Sequence, residues 1–197
     1  MKLNYSPSSP FVRKVHVLAL ELGLADQIEL VQTEGTPLAS DATRVAANPL
    51  GKIPSLERPD GPTLYDSRVI CQYLNTLAQG RMYPEAHLWE TLTLEATAEG
   101  IMDAGVLMVY ETRCRPEDMV YAPWVEAQWE KISRALDVLE GRWMSHLHGP
   151  LDAGQVGVAC ALGYLDLRHG ARDWRAGRPS LAAWEGKFAQ RDSMVQT

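Results

Sequence analysis

The fold this 197-residue sequence predicts is an α/β unit followed by an all-helical unit. Three observations carry it. Over residues 1–78, short apolar runs alternate with Pro and Gly punctuation in the order strand, helix, strand, hairpin, helix, which is the pattern of helices laid on a sheet. Residues 88–197 instead carry long helical periodicity with few breaks. The composition changes between them: all six tryptophans lie from Trp89 onward. The segment "AQGRMYPEAH", Ala78–His87, marks the boundary through Gly80 and Pro84.

Each element has a local reason. Lys2–Tyr5 reads as a first strand. Pro10–Leu22 reads as a helix: Ser9 is a favoured N-cap, Pro10 suits the first helical position, and Gly23 suits the C-cap. Val12, Val15, Val17, Leu18, Ala19, Leu20 and Leu22 make this helix apolar around much of its circumference, so it should be covered on more than one side. Ile28–Val31 is a strand. "TEGTPLASDATRVAANPLGK" is irregular, with room for one short helix. Ile53–Glu57 and Thr63–Tyr65 are strands joined by the turn signal "RPDG", and Asp66–Leu77 is a helix. Further helices are expected near 88–113, 123–147, 155–169 and 180–191, with Pro123 at a helix start. Asp152 and Gln155 form a capping box, with Leu151 and Val156 as its hydrophobic staple. Gly154 and Gly157 weaken that helix start, each by about 1 kcal/mol relative to Ala.

Composition narrows the function. A net charge of −6 and the lack of a one-sided Lys/Arg face argue against nucleic acid. No apolar stretch is long enough to span a bilayer, and no secretory leader pattern opens the chain. The three cysteines, Cys71, Cys114 and Cys160, are widely spaced and odd in number, as expected of free thiols in a reducing cytoplasm. There is no G-x-G-x-x-G, and Gly51-Lys52 is followed by Ile53 where a phosphate loop needs Ser/Thr. There is no G-x-S-x-G elbow. His146-x-His148 reads as solvent-facing, and no metal site is expected.

Three short motifs remain. "SPSSP" reads either as a flexible serine-rich tip or as a turn that delivers Ser9 to a helix N-terminus, where unpaired N–H groups and the helix dipole stabilise an anion. "NPLGKIPSL" reads either as a plain loop or as one with a cis Ile53–Pro54 bond that exposes the backbone of Ile53 to an extended ligand. In "LYDSR", Asp66 and Ser67 cap the next helix, whose N-terminus could equally hold a ligand carboxylate.

Together these motifs resemble the soluble glutathione S-transferase family, and the resemblance runs end to end. "SPFVRK" is similar to the opening of bacterial members with a serine-type site. "NPLGKIPSL" resembles the family's glutathione loop, and "DSRVICQYL" its γ-glutamyl-binding helix start. "EGIMDAG", "WVEAQWEKISRALDVLE", "GVACALGYLDLR" and "PSLAAWEGKFAQRDSM" resemble its C-terminal helices. The resemblance implies a thioredoxin-like α/β domain over residues 1–78 and an all-α domain over 88–197. It implies a cytoplasmic, homodimeric detoxification enzyme with glutathione as co-substrate, no metal, and a small hydrophobic electrophile as partner. By position, Ser9 matches the residue that contacts the glutathione sulfur, with Ser8 and Tyr5 as alternatives. Ile53 matches the residue whose backbone pairs with the cysteinyl part, Pro54 the cis-proline, and Lys52 a position at the glycyl end. Asp66 and Ser67 match the pair that binds the γ-glutamyl group, and Asp103 a helix acid contributed across the dimer. The dimer would pack through the first two helices after the boundary, by way of Leu94, Ile101, Leu107 and Val109. The electrophile pocket would lie near Tyr5, Phe11, Met102, Val106 and Tyr110.

The chemistry is feasible. A free thiol ionises near pH ~8.5, and lowering that by about two units needs about 2.7 kcal/mol. One hydrogen bond to a charged group supplies about 1.5–3 kcal/mol, and a helix N-terminus about 0.3–1. Two other readings stand beside this one. The first is a non-catalytic binding or regulatory protein on the same fold. The second is a glutathione-dependent thiol reductase, which needs a cysteine where Ser9 sits.

Overall fold

A computed structural model describes all residues, 1–197. Its sheet is built on β1 (Lys2–Tyr5), which pairs in parallel with β2 (Glu29–Gln32) on one side and antiparallel with β5 (Ser55–Glu57) on the other. Being central and covered on both faces, β1 buries consecutive residues, Leu3 and Asn4. The Asn4 Nδ2 donates to Ser55 Oγ at 3.1 Å, while its Oδ1 is buried without a hydrogen-bond partner.

Helix α1 (Pro10–Glu21) follows β1, with Ser9 as N-cap and Pro10 at its first position. It ends at Gly23, whose φ of +68° is the left-handed conformation expected of a C-terminal glycine. The apolar circumference is explained by its neighbours: α1 packs on α3 (Ser67–Leu77) on one side and on the helical half on the other. The irregular stretch after β2 contains a hairpin, β3 (Gly35–Thr36) with β4 (Ala39–Ser40), and the short helix α2 (Ala42–Ala47) capped by Asp41. Arg44 of α2 is buried and ties this excursion to the end of β2, donating to Thr33 Oγ1 at 2.9 Å and to the Thr33 carbonyl at 2.7 Å. The expected strand at Thr63–Tyr65 is reduced to one bridge, Leu64 with Leu56. The chain leaves the sheet there because Asp66, two residues on, is already the N-cap of α3.

The helical half consists of α4 (Leu88–Cys114), α5 (Ala122–Val138), α6 (Met144–Leu147), α7 (Ala153–His169), α8 (Pro179–Phe188) and α9 (Asp192–Val195). The single helix expected near 123–147 is interrupted by a π-helical turn, Leu139–Trp143. Helix α7 is the centre of this half, buried without a break from Ala153 to Leu162. Its glycines allow α4 to come close. A Cβ on Gly154 would lie 2.9 Å from Leu94 Cβ and 3.0 Å from the Thr91 carbonyl oxygen, and one on Gly157 would lie 3.2 Å from Ala98 Cβ. Asp152 caps α7 by accepting from Gln155 N at 2.9 Å. The reciprocal half of the capping box is absent: Gln155 Nε2 donates to the Pro150 carbonyl at 2.7 Å and fixes the preceding turn instead. His146 is not solvent-facing, since its Nε2 lies 2.6 Å from Asp152 Oδ2; His148 is exposed.

One continuous apolar core runs from Leu3 and Leu18 through Ile70 and Leu94 to Leu165 and Met194, across both halves. Within it sits a charge cluster. The Lys14 ammonium, fully buried on α1, donates to Glu95 at 2.9 Å and to Glu99, both on α4.

Candidate functional site

Sheet geometry brings the three motifs to one end of the molecule. β1 ends at Tyr5 and leads into the Ser6–Ser9 turn. β5 is antiparallel to it, with Ser55 opposite Asn4, so Ile53 and Pro54 enter the sheet at that same end. The chain then runs away along β5 and returns antiparallel at Leu64, which delivers Asp66 and the start of α3 back to it.

Ser9 sits at the N-terminus of α1 in extended conformation. Its Oγ is 3.4 Å from Val12 N, a long cap, and its hydroxyl proton has no acceptor within the chain. Pro10 brings no N–H, so this helix start has few donors of its own. The Ile53–Pro54 bond is cis, as is Tyr65–Asp66. Neither the N–H nor the carbonyl of Ile53 hydrogen-bonds within the chain. Asn48 shapes this loop: it donates to the Lys52 carbonyl at 3.0 Å and accepts from Leu50 N at 3.0 Å. The Lys52 side chain is exposed.

At the start of α3, Asp66 accepts from Arg68 N at 3.0 Å and from the Arg68 guanidinium at 2.8 Å. Burial alone would raise the Asp66 carboxyl, but the Arg68 hydrogen bonds outweigh it and hold the group below the ordinary carboxylate value. Ser67 turns inward. The residue is 1% exposed, and its hydroxyl donates to Glu99 Oε1 at 2.7 Å. Glu99 therefore joins the α3 start to Lys14, and Glu95 completes the cluster by accepting from Tyr83 OH at 3.0 Å. Burial would push the Lys14 ammonium down; the facing carboxylates reverse this and raise it, so the lysine stays charged. Asp103, one helical turn beyond Glu99, is raised by burial and by Glu99, against the pull of Lys52 and Arg68.

Between the two halves is a cavity of about 600 Å³, lined by Leu38 of the hairpin loop and by Leu107, Tyr110, Met119, Tyr121 and Trp124 around the α4–α5 connection. Of the five positions expected to line a pocket, Tyr110 does so, whereas Met102 is fully buried in the core. Leu94 and Ile101 are also core residues, so they are not free to pack against a second chain. Cys71 and Cys160 are buried, which pushes both thiols up to about 12. No group of three or more His, Cys, Asp or Glu side chains is arranged to hold a metal ion.

Sequence reasoning named Ser9, Lys52, Ile53, Pro54, Asp66 and Ser67 as candidates from local signals, and the structure brings their segments to one end of the sheet. That reasoning missed Lys14, Glu95 and Glu99. A signal for them existed: two glutamates four residues apart beside the apolar positions Leu94, Ala98 and Met102, and a lysine between Val12 and Val15.

Comparison with known proteins gives a consistent result. Residues 8–77 match the family model described as glutathione S-transferase, N-terminal domain, and residues 122–185 the one described as glutathione S-transferase, C-terminal domain. An uncharacterized GST-like protein, YibF, of Escherichia coli (strain K12) is 36% identical over 203 residues, covering 100% of this chain and 98% of the relative. A glutathione transferase family member from Pseudomonas fluorescens Pf-5, solved with bound glutathione, superposes with a TM-score of 0.97 at 44% identity, covering 100% of this chain and 97% of that one. A glutathione S-transferase from Methylobacillus flagellatus KT, also solved with glutathione, gives a TM-score of 0.83 at 34% identity, with 99% and 97% covered.

Proposed function

Because the chain belongs to the glutathione S-transferase family, we propose that it binds glutathione and activates the thiol for conjugation to a small hydrophobic electrophile, with Ser9 as the activating residue of a serine-type site. The observation that carries this reading is the meeting of Ser9, the unpaired backbone of Ile53 and the Asp66 helix start at one end of the sheet. An extended tripeptide laid across that end pairs its cysteinyl backbone with Ile53, beside the cis Pro54. Its γ-glutamyl end reaches Asp66 and Ser67, and its glycyl carboxylate reaches Lys52. Its sulfur then comes to the N-terminus of α1. The relatives solved with glutathione support the same ligand here.

The uncommitted Ser9 hydroxyl donates to the sulfur and favours the thiolate; it is not itself a nucleophile. The thiol proton passes to solvent. The sulfur electron pair forms the new C–S bond, and the leaving group departs with its own pair. The cavity around Tyr110 and Trp124 offers the apolar, aromatic surroundings that such an electrophile needs. In this reading residues 1–78 form the glutathione-binding domain and 88–197 the helical domain of a cytoplasmic homodimer. Leu107, exposed on α4, and Val69 and Leu77, exposed on α3, are apolar side chains available to a second copy.

Titration calorimetry with glutathione on the wild type and on Asp66→Ala tests the reading, together with a panel of electrophiles and sedimentation of the same preparation. Binding weakened in the variant, turnover with at least one electrophile and a dimer are expected. Glutathione binding without turnover would favour the regulatory reading. No binding at all would sink the proposal.

A further inference from the structure

We infer that Arg115, at the end of α4, is a specificity-determining residue of the electrophile cavity, where its guanidinium selects an aromatic substrate bearing a carboxylate; this rests on the glutathione reading above. Arg115 is the one cation among the residues lining the cavity, and its side chain is 51% exposed. Its Nε is committed, lying 2.7 Å from Glu111 Oε1 one turn back on α4. Its two terminal nitrogens hydrogen-bond to nothing within the chain. Glu111 Oε1 also accepts from Tyr121 N at 3.2 Å, which ties the start of α5 to the same anchor.

A purely structural role for this arginine is satisfied by Nε alone, which closes an i, i+4 pair and places a cation at the C-terminal end of α4. The terminal nitrogens are left over, and they form the parallel donor pair that matches the two oxygens of a carboxylate. Glu111 offsets the net charge, so attraction for a lone ion is small and the planar, two-point match decides. Glu111 is itself buried and braced by Tyr121 N, so the guanidinium loses little freedom when it binds. The rest of the lining is mostly apolar, and Tyr110, Tyr121 and Trp124 supply aromatic faces. Such surroundings favour a flat ring charged at one edge only. The substrate class that satisfies both is an aryl or benzyl halide with a ring carboxylate. The sulfur electron pair forms the C–S bond, the carbon–halogen bond breaks and halide leaves with its pair; the carboxylate takes no part in the step.

The test uses two finished conjugates, S-(4-carboxybenzyl)glutathione and S-(4-carbamoylbenzyl)glutathione, which share a shape and differ in one charge. Calorimetry measures both, and glutathione itself, on the wild type, on Arg115→Gln and on Arg115→Lys. The wild type should prefer the carboxylate. That preference should fall about fivefold to tenfold in Arg115→Gln, less than for a buried fork because half of the side chain meets solvent. Affinity for glutathione itself should hold in the variant, which also shows it to be folded. Should Arg115→Gln not fold, Arg115→Lys keeps the charge beside Glu111 but loses the parallel donors, and the preference must still fall. A preference absent from the wild type, or unchanged in the folded variant, would overturn the inference while the glutathione reading stands. So would a wild type that binds glutathione and neither conjugate. A wild type that binds none of the three would remove both.

Discussion

Replacing Ser9 by alanine separates stability from chemistry at the start of α1. The cap it removes is long, 3.4 Å from Oγ to Val12 N. Loss of a good N-cap costs about 1 kcal/mol, and so long a bond belongs at the low end of the range, about 0.5 kcal/mol. The fold should therefore survive nearly unchanged. For a bound thiolate the loss is larger, because a hydrogen bond to a charged group contributes about 1.5–3 kcal/mol. That returns the thiol upward by about one to two units, from near ~6.5 towards ~7.6–8.7. At pH 7 the thiolate fraction then falls from about three quarters to between about 20% and 2%. The ultraviolet absorbance of bound thiolate, followed against pH, should show its midpoint move up by that amount. Turnover with an activated electrophile at neutral pH should drop about fourfold to fortyfold, in step with the thiolate fraction, while glutathione still binds. An unchanged midpoint in Ser9→Ala with a raised one in Tyr5→Phe would refute the reasoning and transfer the role to Tyr5; an unchanged midpoint in both would leave Ser8.

Two further outcomes concern the scaffold. Gly154→Ala gains about 1 kcal/mol of helix propensity, but its new methyl meets Leu94 and the Thr91 carbonyl, and a backbone oxygen cannot turn aside. Overpacking costs about 1–3 kcal/mol, so a net destabilisation of about 1 kcal/mol is expected in chemical denaturation, and a stabilised variant would contradict the close α4–α7 packing. His169 is lowered from its ordinary value by burial, against the opposing hydrogen bond to the Gly105 carbonyl at 3.0 Å. The unfolded chain therefore binds more protons here than the folded one, so this contribution is complete above about pH 6.5 and is lost as pH falls below it. Melting temperature against pH should show a slope below pH ~6.5 that flattens in His169→Gln, and an unaltered slope would remove the assignment.

What the sequence made legible was mostly local. Ser9-Pro10, Gly23, Asp66 and Asp152 punctuate helices through atoms within a few residues, and the structure places helix ends at each. The hairpin of β3 and β4 was hidden because its two-residue strands carry no periodicity and are held by Arg44 from a later helix. The glycines of α7 read as defects in isolation; only the approach of α4 shows what they make room for. The ion cluster was hidden for the same reason. Lys14 and Glu95 lie 81 residues apart, and neither signals the other without the packing of α1 on the helical half.

That cluster also bears on how such chains can be recombined. A chimera that takes its first half from a relative without a cation at position 14 would bring two carboxylates, Glu95 and Glu99, to an interface with nothing to neutralise them. The reciprocal chimera would leave a fully buried ammonium facing apolar surface. Removing one side of a buried ion pair costs about 3–5 kcal/mol, a large share of the roughly 5–15 kcal/mol that holds a typical domain folded. The two halves are exchangeable only as a matched set, so modular shuffling at the boundary must carry position 14 together with positions 95 and 99.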